Sequence, residues 1–164
     1  MKVLVTGADG FIGRNLRVAL GEREGFEVLP VTRASSEADL AAAAAGADAV
    51  IHLAGVNRPT DPVEFATGNA DFTARLCALL SATGRAIPVA FASSIQAARD
   101  NAYGASKRAA EAHLADVRVR VLLEQPCEHL RAKPSELGRP GRRVALDLEH
   151  SVAEVENAVE AIED

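Results

Sequence analysis

Ser93, Ser94, Tyr103 and Lys107 are the side chains whose types and spacing could carry a reaction. Residues i and i+4 share one face of a helix, so a helix over YGASK sets the Tyr103 phenol beside the Lys107 ammonium. A free phenol, with a pKa of about 10, is a poor acid-base group at neutral pH. A neighbouring cation favours the phenolate. Bringing a phenol from about 10 to about 7 takes roughly 4 kcal/mol, at about 1.4 kcal/mol per unit. One solvated lysine supplies less than that, so the pair needs a dry pocket or a second positive charge. The two serines close an apolar run, FASS, and would deliver a hydroxyl from the end of a strand. A Tyr-x-x-x-Lys by itself more often belongs to an ordinary surface helix, so the elements around it decide.

Those elements begin at the N-terminus. Residues 1–5 are a short run rich in β-branched residues that leads into TGADGFIG and then into the helical spacing of Leu16, Val18, Ala19 and Leu20. Glycines at 7, 10 and 13 stand one residue away from the dinucleotide spacing G-x-G-x-x-G and offer the same parts. One turns the chain out of the strand, one lets backbone approach a pyrophosphate, and one packs the helix against the sheet. The helix N-terminus adds unpaired N–H groups and partial positive charge. Gly7, Gly10, Phe11, Ile12 and Gly13 are therefore candidate cofactor contacts.

Residues 26–31 read as a second strand, ending at Thr32 and Arg33. An acid at this place would bind a ribose 2′-hydroxyl, whereas an arginine accommodates a 2′-phosphate. Arg33, with Ser35 and Ser36 as hydroxyl donors, favours NADP(H) over NAD(H). Residues 38–45 form an alanine-rich helix stopped by Gly46 as a C-cap, and residues 49–53 form a third buried strand. The small residues after it, with Leu53, Ala54 and Gly55, would let the adenosine half of a cofactor lie on the backbone, with Asp39 and Leu40 near the adenine. Pro59 and Pro62 mark a loop, Asn69 opens a helix with Phe72, Leu76, Leu79 and Leu80 on one face, and residues 87–92 make a fourth strand carrying Ser93 and Ser94. Residues 117–123 read as a fifth strand. Apolar strands alternating with helices indicate a parallel α/β sheet. Right-handed crossovers bring all the strand carboxyl ends to one edge, so the glycine turn, Arg33, Ser94 and Tyr103 should converge there.

Composition narrows the functions. The chain of 164 residues with net charge −5 suits one globular domain rather than a general nucleic-acid or anionic-membrane surface. No apolar run approaches the roughly 20 residues that span a bilayer, and Lys2 is followed by too short an apolar run for a signal peptide, so a cytoplasmic location is expected. Cys77 and Cys127 are too few for a disulfide framework, and His52, His113, His129 and His150 show no metal-ligand spacing, so no metal is expected.

TGADGFIG, HLAG at residues 52–55, Asn69, the serine after the fourth strand and YGASK together resemble the extended short-chain dehydrogenase/reductase, or NAD-dependent epimerase/dehydratase, superfamily. HLAGVNRP, EF followed by GN, SSIQA and DNAYGASK are similar, more narrowly, to the reductase domain of CapF-type capsular polysaccharide enzymes. The resemblance covers roughly residues 1–122. It implies a Rossmann-like doubly wound parallel sheet and NADPH-dependent reduction of a UDP-linked 4-keto-6-deoxy amino sugar. Tyr103 would protonate the carbonyl oxygen, Lys107 would bind the nicotinamide ribose and lower the pKa of Tyr103, and Ser94 rather than Ser93 would polarise the carbonyl. Asn57, Arg58 and Gln96 would meet the substrate. A homodimer pairing through the helices that carry Asn69 and Tyr103 is implied by the same analogy.

The pattern stops near residue 123. Residues 1–123 are expected to be the NADP-binding domain with the Ser/Tyr/Lys set. Residues 124–164 are expected to hold an irregular segment rich in charge and proline and then a C-terminal amphipathic helix over 151–162, without a complete substrate domain. The fold expected is thus a doubly wound sheet truncated after about five strands. Three functions fit this sequence: the reductase, a dinucleotide-binding module without turnover, and a nucleotide-sugar epimerase or dehydratase that retains NAD. Arg33 speaks against the last, as do Ile95 and Gln96 where a dehydratase carries an acid.

Overall fold

A computed structural model describes residues 1–115. The expected fifth strand, the irregular segment and the C-terminal helix lie outside them.

Strand β1 (Lys2–Thr6) pairs in parallel with β2 (Glu27–Val31) on one side and with β3 (Ala49–His52) on the other, and β4 (Val89–Phe91) extends the sheet beyond β3. The order β2-β1-β3-β4 reverses direction at β1. Such a switch leaves a crevice above the strand carboxyl ends, because helices from the neighbouring strands leave toward opposite faces.

The strands alternate between two cores because successive side chains point to opposite faces. Leu4, Val50, Val89 and Phe91 pack under α2 (Glu37–Gly46), α4 (Phe72–Ala82) and α5 (Ala102–Ala115), through Leu40, Ala44, Leu76, Leu80, Ala110 and Leu114. Val3, Val5, Ile51 and Ala90 pack under α1 (Phe11–Gly21), through Leu16 and Leu20. Each wholly buried leucine or phenylalanine contributes about 2–3 kcal/mol. These cores hold the crevice rim rigid.

Two local expectations need correction. Gly46 is the last residue of α2 rather than a left-handed cap after it; the extended residue that stops the helix is Ala47. The boundary is made instead at the other end, where Ser36 and Asp39 form a reciprocal capping box. Asn69 does not open a helix either. A short α3 (Val63–Phe65) runs through a π turn (Ala66–Asp71) into α4, and Asn69 is buried inside that turn. A π turn inserts one residue into the helix and rotates the residues beyond it by about 100°. It therefore aims the Asn69 carboxamide at the loop after β3 while α4 still presents its apolar face to the sheet.

Candidate active site

The turn after β1 is shaped by what glycine lacks. Gly7 takes φ +66°, in the left-handed region, and a Cβ there would lie 2.8 Å from the Ala54 amide nitrogen. A Cβ on Gly13 would overlap the Gly7 carbonyl oxygen and come within 2.8 Å of Ala8 Cα. Helix α1 thus sits directly on the turn, with the Gly10 N–H donating to Gly7 O at 2.9 Å and no acidic residue in the first helical turn to compete for its N–H groups.

A groove of about 470 Å³ opens above this turn. Of the expected cofactor contacts, Gly7, Gly10, Arg33, Leu53, Ala54 and Gly55 line it, whereas Gly13 lies buried beneath the turn and Phe11 and Ile12 stand exposed at the head of α1. Its far wall includes Gly68, Phe72 and Arg75, whose guanidinium lies 5.6 Å over the Phe72 ring. Arg75 escapes a reading of the sequence because nothing in its spacing ties it to Arg33. Of the two serines after β2, Ser36 has committed its hydroxyl to Asp39 at 2.7 Å. Ser35 Oγ accepts from the Thr32 N–H at 3.0 Å and keeps its own proton to donate. Leu40 lines the groove, as expected, but the Asp39 carboxylate is turned back on the cap.

The other two expected cofactor contacts, Tyr103 and Lys107, do not line this groove, nor does Ser94; Lys107 lies beside Gly55, which does. Its Nζ donates to Ala92 O at 3.0 Å, sits 4.8 Å from the Phe91 ring centroid and 6.0 Å from the Tyr103 ring, and would be 3.2 Å from a Cβ on Gly55. Burial to 5% exposure pushes the ammonium down to a pKa of about 8, against the opposing attraction of the Glu111 carboxylate. Tyr103 shares the α5 face with Lys107, and its ring packs on Phe65 with centroids 5.6 Å apart. Ser94 ends the segment after β4 and caps a 3-10 turn (Ile95–Ala98), accepting from the Gln96 N–H at 3.2 Å. Ser93 donates to Glu111, which leaves Ser94 the serine not bound to a carboxylate. Gln96 is half-buried in the 3-10 turn, while Asn57 and Arg58 are exposed beyond β3 and do not line the groove.

The groove and α5 are tied by buried polar residues that periodicity could not reveal. His52, wholly buried at the end of β3, bonds Thr6 Oγ1 through Nδ1 at 2.6 Å and Thr73 Oγ1 through Nε2 at 2.9 Å. Desolvation, then the Lys107 charge, drives its pKa down to about 3. The Asn69 carboxamide accepts from the Val56 N–H at 2.8 Å and donates to Val56 O at 3.0 Å and to Ser106 Oγ at 2.9 Å. A side chain on Gly55 would press on this carboxamide, since a Cβ would lie 3.0 Å from Asn69 Oδ1.

A glycine turn without Cβ atoms under a helix N-terminus, opening on a groove walled by Leu53, Ala54 and Gly55, fits a dinucleotide: N–H groups for a pyrophosphate, small residues for an adenosine. Comparison with known proteins agrees. The NAD dependent epimerase/dehydratase family matches residues 3–121. Over 114 residues, 70% of this chain, the sequence is 57% identical to the UDP-2-acetamido-2,6-beta-L-arabino-hexul-4-ose reductase of Pseudomonas aeruginosa, and it spans 31% of that protein's length. The fold is similar to the capsular polysaccharide assembling protein CapF from Staphylococcus aureus, with 35% identity, a TM-score of 0.63, and 74% of this chain and 34% of that one covered. It is also similar to RMD from Pseudomonas aeruginosa complexed with NADPH, with 26% identity, a TM-score of 0.59, and 73% and 52% covered. Matched along most of its length, and carrying the glycine turn and the buried lysine on one sheet edge, the chain belongs to the NAD dependent epimerase/dehydratase family.

Proposed function

We propose that residues 1–123 are the cofactor-binding and acid-base unit of an NADP(H)-dependent reductase acting on a UDP-linked 4-keto-6-deoxy amino sugar, in capsular or surface polysaccharide synthesis. The observation that carries this reading is the position of Lys107, a buried ammonium against Gly55, itself a lining residue of the groove, and one helical turn from Tyr103. The likeness to the Pseudomonas aeruginosa reductase supports the substrate class. A soluble nucleotide-sugar substrate fits a cytoplasmic protein, and none of the described helices is long and apolar enough to cross a membrane. Pairing of two copies through α4 and α5 belongs to the same proposal.

In this reading the glycine turn and the head of α1, with Phe11 and Ile12, hold the pyrophosphate. Ala54 and Gly55 take the adenosine side, and Arg33 with Ser35 meets the 2′-phosphate. NADPH held there would supply the hydride that the carbonyl carbon takes up. Tyr103 gives its proton to the carbonyl oxygen, so the ketone becomes an alcohol and the phenol is left to regain a proton from solvent. Ser94 donates to the same oxygen and orients it. Lys107 binds the nicotinamide ribose and keeps positive charge beside the phenol. Asn57, Arg58 and Gln96 face the sugar nucleotide.

The test is loss of NADPH absorbance when a UDP-linked 4-keto-6-deoxy amino sugar is added to the chain. Consumption that disappears in Tyr103→Phe and Lys107→Met supports the reductase; consumption that survives either change overturns the assigned roles. A second reading, a binding module without turnover, is favoured by the groove's lining, which holds Gly7, Gly10 and Arg33 but neither Ser94 nor Tyr103. NADPH binding without consumption, in conditions where that relative turns over, selects it.

A further inference from the structure

The buried hydrogen bonds around His52 can be directed, because each hydroxyl has one proton to give. Thr73 Oγ1 donates to the Asn69 carbonyl at 2.7 Å. With that proton spent, it accepts from His52, so the imidazole carries its proton on Nε2. Nδ1 is then bare and accepts the Thr6 hydroxyl proton, and Thr6 Oγ1 in turn accepts the Ala54 N–H at 3.1 Å. Beyond Asn69 the order continues. Its carboxamide donates to Ser106 Oγ, and Ser106 donates to the Tyr103 carbonyl at 2.7 Å. Two directed runs therefore meet at Asn69 in the π turn: one from Ala54, on the groove wall, through His52 and Thr73 to its backbone carbonyl, the other from its carboxamide through Ser106 to the first turn of α5.

We propose that His52, as the neutral Nε2–H tautomer, is a positioning residue that fixes the groove wall at Ala54–Val56 relative to the helix bearing Tyr103 and Lys107. It does not line the groove. It acts because imidazole is the side chain that accepts on one edge and donates on the other across the gap between two threonines. Apolar or amide replacements at 52 cannot reach both. Protonation would turn Nδ1 into a donor, so the Thr6 hydroxyl would have to accept there and aim its own proton elsewhere in a buried site, which reverses the Thr6 end of the chain. The direction of these buried bonds holds whatever reaction the groove carries, so this role goes beyond the reductase reading.

The experiment uses the full chain labelled with nitrogen-15. Long-range proton–nitrogen correlation of the His52 ring should give a protonated Nε2 and a bare Nδ1 from about pH 5 to about pH 8. An Nδ1–H tautomer or an imidazolium in that range overturns the proposal. Thr73→Val and Thr73→Ser then test the coupling. Cutting the chain at Thr73 should speed amide exchange of Ala54, on the far side of the imidazole, by about tenfold beyond any change in the slowest core amides, and should weaken NADPH by a similar factor. Thr73→Ser, which keeps the hydroxyl, should restore both. Uniform acceleration of all slow amides, or an equal loss in Thr73→Ser, means the residue only stabilises the fold and sinks the proposal. If the wild type binds no NADPH, the cofactor reading fails while the ring spectrum and the exchange arm still decide this one. If Thr73→Val does not fold, the ring spectrum decides.

Discussion

Lys107 Nζ donates a 3.0 Å hydrogen bond to the carbonyl oxygen of Ala92, the residue after β4. This bond joins α5 to the sheet edge at the point where the chain leaves for Ser93 and Ser94. It gives a buried ammonium one fixed acceptor, while the Phe91 ring face adds a second favourable contact at 4.8 Å. A lysine held so has been placed at a cost in stability, and such costs concentrate where a charge is used.

Lys107→Met should therefore stabilise the unliganded protein at neutral pH relative to its effect in alkali. Below pH 8 the folded state carries a buried charge; the unfolded state keeps its proton up to a pKa of 10.5. Between those values the unfolded state binds more protons, so wild-type stability rises with pH. The variant lacks that rise. Its stability relative to wild type should fall by on the order of 3 kcal/mol between neutral pH and the upper end of this window. Urea unfolding of both proteins at a series of pH values measures it, and a constant difference would mean that the ammonium is not desolvated.

His52 predicts the opposite limb. Its folded pKa of about 3 lies below its unfolded 6.5, so the neutral buried ring contributes stability that is fully present above pH 6.5 and is lost as pH falls toward 3. His52→Leu should be much less stable than wild type at pH 7, because it strands the Thr6 hydroxyl in a buried site. The gap should close by roughly 3 kcal/mol on going to about pH 4. Circular dichroism in urea at both pH values reads this, and parallel acid curves for the two proteins would remove the ring from the explanation.

Much of this is legible in the order of residues, and the part that is not has a common cause. Strand, glycine turn and helix are consecutive in sequence, and the Tyr103–Lys107 pair lies one helical turn apart, so local spacing displays both. The buried network pairs His52 with Thr6 across 46 residues and with Thr73 across 21. No local period reports such contacts, and a histidine at a strand end looks like any other. Asn69 stands out by its place in the chain, yet its position before an apolar helix face suggests a helix start. The π turn that gives it its task is an insertion in helical phase that a stretch with Pro59 and Pro62 disguises as a loop. The burial of Lys107 is also hidden, because sequence spacing shows that it neighbours a tyrosine but not that it is dry.

Glycine substitutions should separate packing from conformation. Gly13→Ala places a Cβ on the Gly7 carbonyl and should cost several kcal/mol, about the level of an overpacked core, or prevent folding. Gly21→Ala, at the end of α1 with nothing within 4 Å of the added carbon, should be neutral or stabilise by about 0.5 kcal/mol. Gly55→Ala falls between them in stability but presses on both Asn69 Oδ1 and Lys107 Nζ. It should weaken NADPH by more than its effect on melting suggests. Thermal unfolding and fluorescence titration of the three variants give the ranking. A harmless Gly13→Ala would show that α1 does not seat on the turn as described.

In the proposed reading Arg33 carries the choice between cofactors. It is exposed at the groove edge, so its attraction for a phosphate is a surface charge interaction, useful for selection and sensitive to salt. NADPH differs from NADH by that one phosphate, and a charge-assisted guanidinium contact contributes about 1.5–3 kcal/mol, or roughly ten- to a hundredfold in affinity. Arg33→Ala should therefore weaken NADPH by about that factor and leave NADH nearly unchanged. A wild-type preference for NADPH should also shrink as ionic strength rises, because a phosphate contact would be screened while apolar contacts to Leu53 and Ala54 on the groove wall would not. Titrating both cofactors against both proteins at low and high salt gives four affinities at each. An equal loss for NADH and NADPH would assign Arg33 to the shape of the groove instead, and the family's NAD-using chemistry would then be the better account of this chain.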